Sequence, residues 1–108
     1  MLGYNRKLLL TQRSLGSKNE KKKFNIAVIP GDGIGPEVVI EALKILDLVC
    51  TRFNISIQFD TFNFSSCDYY LKYGKMLPDN WKEQIGKYDA IFFGAVGWPE
   101  KVPDHVSL

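Results

Sequence analysis

The chain has 108 residues, 45% hydrophobic and 24% charged, which suits one small domain. No apolar run reaches the ~18 residues of a membrane-spanning helix, so the body of the chain is not membrane-embedded. Its net charge of +2 divides into +6 over residues 1–23 (seven basic side chains against Glu20) and −4 over residues 24–108 (seven against eleven), and a mildly acidic body argues against nucleic acid.

Residues 1–23 read as a basic leader, with no acid before Glu20, scattered Arg, Ser and Thr, and a Leu8-Leu9-Leu10 run. That composition is similar to a mitochondrial presequence, and the other reading is an extension that carries no address. Phe24–Ile29 is a short, nearly continuous apolar run, as expected of a parallel strand buried on both faces. Pro36 suits the first position of a helix, and Glu37 suits the positive end of its dipole. Val39, Ala42, Leu43, Leu46 and Val49 then recur at helical spacing and predict a buried stripe, with Glu41 and Lys44 pairing on the solvated side. The helix is expected to fade near Arg52–Asn54.

Ile55–Phe59 alternates and predicts a second strand, nearer an edge. Cys67–Lys72 predicts a short helix entered through Ser65-Ser66 and closed by Gly74. Pro78–Lys87 predicts another, with Trp81 and Ile85 on its inner face. Ala90–Phe93 is a third apolar strand that runs into Gly94, and the remainder to Leu108 reads as loop. The order is that of an α/β fold, a parallel-sheet βαβαβ unit with right-handed crossovers. Cys50 and Cys67 fit neither a CxxC motif nor a disulfide framework, so free thiols in a reducing, cytoplasmic setting are expected.

The glycine-rich turn Ile29–Val38 (IPGDGIGPEV) invites comparison with the dinucleotide fingerprint. That fingerprint needs G-x-G-x-x-G, and Pro36 stands where its third glycine belongs. Asp60, 27 residues after Gly33, lies where a ribose-binding carboxylate is expected, but the spacing of the glycines rules the motif out. No Gly-Lys-Ser/Thr follows, so a phosphate loop is excluded too. Three glycines in five residues allow close backbone approach, either of a ligand or of another segment packed on a tight turn. Asp32 is read as orienting this turn through its own backbone.

Ile26–Val38 (IAVIPGDGIGPEV) and Phe92–Pro99 (FFGAVGWP) together resemble the beginning of the β-decarboxylating dehydrogenases. That family includes isopropylmalate, isocitrate and tartrate/D-malate dehydrogenases. Ser66–Trp81 (SCDYYLKYGKMLPDNW) and Gly94–Leu108 (GAVGWPEKVPDHVSL) resemble its tartrate/D-malate (decarboxylating) group. The resemblance implies an isopropylmalate dehydrogenase-like fold of which residues 24–108 are the N-terminal, incomplete part. It implies hydride transfer from a malate-like 2-hydroxy acid to NAD, then loss of the β-carboxylate with Mg2+ or Mn2+ as Lewis acid. The arginines, metal ligands and lysine/tyrosine pair of that chemistry are expected outside this chain, which alone is expected to be inactive. It further implies a homodimer when complete.

The residues carried over form a cofactor wall: Gly33 and Ile34, the latter against the adenosine portion, and Gly94, Ala95, Val96, Gly97 and Trp98 near the nicotinamide. Trp98 departs from the glycine common in relatives and has packing as its other reading. His105 and Ser107 are carried over as substrate contacts, with a solvated loop as the other reading of His105. Two alternatives stay open for the whole chain: a non-catalytic α/β binding or regulatory module, and an isopropylmalate dehydrogenase-type enzyme. Location is expected to be cytoplasmic, or mitochondrial if the leader is a presequence.

Overall fold

The computed structural model describes residues 22–107. In chain order these form β1 (Lys22–Gly31), α1 (Gly35–Phe53), β2 (Ile55–Thr61), α2 (Cys67–Tyr73), α3 (Trp81–Ile85), β3 (Ala90–Ala95) and α4 (Asp104–Ser107). The leader's targeting reading, and the mitochondrial alternative with it, fall mainly on residues 1–21 and lie outside the described residues.

The three strands make one parallel sheet in the order β2-β1-β3. β1 is central, which is why its apolar run is continuous: Ala27, Val28 and Ile29 are all buried. It starts two residues earlier than the apolar run, because Lys22 and Lys23 extend the ladder opposite Ile55 and Ser56 of the edge strand β2. One sheet face carries Ala27 and Ile29 under Phe64 and Ile85, flanked by Phe62, Tyr69, Leu77, Trp81 and Tyr88. Val28 and Pro30 point to the other face, where α1 packs through Val39.

α1 starts as expected, with Pro36 and Glu37 in its first turn. It ends where Asn54 turns left-handed (φ 54°) and donates its N–H to the Cys50 carbonyl. Its inner stripe runs from Val39 to Cys50; Val49, expected inside, is turned outward with Leu48. The rotation of 100° per residue places position 50, not 49, in line with Val39, Leu43 and Leu46. Ser66 caps α2, its Oγ accepting from the Tyr69 N–H at 3.1 Å, and a left-handed Gly74 closes it. α3 is shorter than the sequence suggests. Pro78–Asn80 form a turn that feeds it, and Gly86 stops it. Asp104–Ser107, expected as loop, is a single helical turn begun by the Val106 N–H bonding to the Pro103 carbonyl.

Candidate functional site

β1 and β3 are neighbours at the point where the strand order reverses: the chain goes from β1 through α1 to β2, and returns past β1 to β3. Ligands of open α/β sheets bind beyond the strand carboxyl ends at such a switch point. Here the turn after Gly31 and the loop after Ala95 meet there.

Their glycines do two different jobs. A methyl group at Gly31 would lie 1.8 Å from the Ala95 carbonyl oxygen, and one at Gly35 2.1 Å from that of Pro30. One at Gly94 would lie 2.2 Å from the Pro30 oxygen. These three positions are bare so that the two strand ends can lie against each other. Gly33 and Gly97 (φ 54° and 121°) differ in that nothing lies within 4 Å of a side chain placed there, whereas Gly31, also left-handed at φ 80°, faces backbone. They form an open rim with Ile34, which is 63% exposed.

Trp98 completes the rim on the β3 side. The residue is 38% exposed, and the Lys101 ammonium stands 4.1 Å from the ring centroid. Lys101 also reaches Asp68 of α2 at 3.2 Å, and a bridge between Trp98 and the buried Val102 folds the loop back. Packing and exposure therefore coexist at Trp98.

The two loops are tied by a residue whose reach the sequence did not reveal. Asp32 is buried, and its carboxylate accepts from the Cys67 N–H at 2.8 Å and from the Gly97 N–H at 3.1 Å. Its backbone carbonyl closes the local turn as expected, accepting from the Gly35 N–H at 2.8 Å, and its side chain adds a long-range role that spacing did not show. Burial and the neighbouring Asp32 carboxylate, to which the Cys67 thiol donates, hold that thiol above its ordinary pKa. Asp60 is engaged elsewhere: Tyr88 Oη donates to it at 2.5 Å and Gln58 Nε2 at 3.3 Å, both lowering its pKa.

His105 is exposed on α4, while Ser107 is buried with its hydroxyl donating to the Asp104 carbonyl at 3.5 Å. Among the described residues no three His, Cys, Asp or Glu side chains group to hold a metal ion, so these residues by themselves do not make a metal site. The N-terminus of α1 is poorly built for a pyrophosphate, since Pro36 lacks an N–H and Glu37 adds negative charge. An open cleft of about 430 Å³ lies on the β2 side of the sheet, lined by Thr61, Phe62, Tyr69 and Tyr73.

The profile of a known family, isocitrate/isopropylmalate dehydrogenase, matches residues 25–107. The chain belongs to that family. It is 58% identical over 85 residues to a tartrate dehydrogenase/decarboxylase of Pseudomonas putida, covering 79% of this chain and 23% of that protein. It is 51% identical over 87 residues to the D-malate dehydrogenase [decarboxylating] of Escherichia coli (strain K12), covering 81% and 24%. Among solved structures, the apo form of a β-decarboxylating dehydrogenase from Thermococcus kodakarensis matches with a TM-score of 0.54 at 34% identity. That match covers 74% of this chain and 23% of the other. The chain thus spans about a quarter of the length of the relatives it matches. These likenesses bear out the family and fold expected from the glycine turn and FFGAVGWP, and extend to the tartrate and D-malate group.

Proposed function

We propose that this chain is the N-terminal part of an NAD- and divalent-metal-dependent enzyme that oxidises and decarboxylates D-malate or tartrate. It supplies one wall of the cofactor site and is inactive alone. The observation that carries this reading is the meeting of the Gly31–Gly35 turn and the Ala95–Trp98 loop at the β1/β3 switch point, with Gly33, Ile34, Gly97 and Trp98 left open on its rim.

The rim fits NAD as an apolar, open-backbone surface. Ile34 offers a face for a planar base, and the bare backbone at Gly97 admits a ring at van der Waals distance. Because α1 starts with Pro36 and Glu37, pyrophosphate recognition falls to groups outside this wall. Bound NAD supplies the hydride acceptor for oxidation of the C2 alcohol; the wall's residues orient the cofactor and keep water from one side. Metal ligands and the groups that move protons lie outside this chain.

A chimera tests this: residues 24–108 replace the matching first quarter of the Pseudomonas putida relative, and NADH formation is followed with Mn2+. Turnover of D-malate or tartrate is expected, with none from the 108-residue chain by itself. A folded chimera that turned over only isopropylmalate would sink the substrate assignment; activity of the chain alone would sink the division of labour.

A further inference from the structure

We propose that Asp32 is the positioning residue of the cofactor wall: its carboxylate fixes the Gly97 loop and the start of α2 against the glycine turn, and so sets the surface on which the nucleotide lies. This rests on the cofactor reading above. Asp32 touches three segments at once. Its N–H donates to the Ala95 carbonyl at 2.6 Å, and its own carbonyl accepts from the Gly35 N–H at 2.8 Å. Its two carboxylate oxygens take the amides of Cys67 and Gly97, which lie 35 and 65 positions along the chain.

Every one of these carboxylate partners is a donor, so the site calls for a group that only accepts. An amide at position 32 would serve one N–H and oppose the other with its own NH2 group. A buried carboxylate persists only when its oxygens are satisfied, and here both are. The Gly97 amide is held by the Asp32 carboxylate, while the bridge between Trp98 and Val102 holds the following residues of the loop. Asp32 also stands apart from the buried cluster around Ile85. Its loss is therefore expected to release the loop more than the fold.

The test uses the full chain carrying Trp81→Phe, so that Trp98 is the sole tryptophan, together with Asp32→Asn and, as a control, Ile85→Ala. NADH is the probe, read by energy transfer from Trp98, and amide hydrogen exchange is read by NMR. In the parent the Gly97 and Cys67 amides should be protected like those of β1. In Asp32→Asn the Gly97 amide should exchange at least about tenfold faster while Ala27 stays protected, and NADH affinity should fall at least about tenfold. Ile85→Ala should lower the melting temperature but leave NADH affinity within about twofold of the parent's. Unprotected Gly97 in the parent overturns the proposal without any Asp32 variant. So does unchanged affinity in Asp32→Asn, or an equal loss in Ile85→Ala. If the parent, which holds one wall of the site, binds no NADH, the loop-setting role is decided by the Gly97 exchange alone and the cofactor reading by the chimera.

Discussion

Gly31 and Gly33 stand two residues apart and share a left-handed backbone (φ 80° and 54°), but differ in the space around them. At Gly31 a side chain meets the Ala95 backbone head-on; at Gly33 it meets nothing and suffers only the left-handed backbone. Gly31→Ala is therefore expected to cost about 3 kcal/mol or more, and Gly33→Ala about 1 kcal/mol. Thermal unfolding of both variants checks the contrast, which would fail if the two shifted the melting temperature alike. Asp60 and Tyr88 make a second residue-scale case, joined by a 2.5 Å hydrogen bond across the sheet face. The Tyr88 hydroxyl, and secondarily Gln58, hold the Asp60 pKa below its ordinary value of 3.8. The bond to Asp60, and secondarily burial, raise that of Tyr88 above 10.0. A lowered carboxylate stabilises the fold above its unfolded pKa and loses that contribution as pH falls through the folded one. A raised phenol does the reverse, losing its contribution as pH rises through its folded pKa. Tyr88→Phe should thus flatten stability both below about pH 4 and above about pH 10. Chemical denaturation across that range reads it; a variant with the parent's acid and alkaline slopes would remove the assignment.

Elements were legible in proportion to how local their causes are. The α2 cap could be read from Ser66 and Gly74 because a cap involves neighbours within four positions; Ser66→Ala should cost about 1 kcal/mol of stability by chemical denaturation. The strands could be read because the central one needs apolar residues on both faces. Where periodicity failed, it failed at ends. Val49 and Cys50 are both apolar, so hydropathy could not choose which faces inward, whereas helix geometry does. The turn at Asp104–Ser107 is only four residues and carries no periodicity to read. The candidate site was half legible. Its two glycine-rich loops announce themselves, and the resemblance joined them. What was hidden is how they are joined: Asp32 reaches 35 and 65 residues ahead, and no spacing rule connects those positions. Three of the glycines, which in sequence allow approach of either a ligand or another segment, give clearance to the chain's own backbone.

At the scale of the molecule, the sheet carries exposed apolar side chains on its β3 side. Ile91 and Phe93 pair with Ala27 and Ile29 and so share their face, yet they are 51% and 47% exposed while their partners are buried. β3 also leaves one backbone edge unpaired among the described residues. The outer side of α1 adds Ile45 and Leu48, 62% and 70% exposed. An apolar face beside an open edge is a template for association. The isolated chain should therefore self-associate with rising concentration and bind an apolar dye, as read by analytical ultracentrifugation and fluorescence. Phe93→Lys should reduce both without unfolding the chain, because Phe93 lies outside the buried cluster that holds the described fold together. In the chimera the same dye response should vanish, since this patch would then be interior to a protein about four times longer. A chain that stays monomeric and dye-silent at high concentration would mean that the face is already covered, and would count against the reading of this chain as part of a larger sheet.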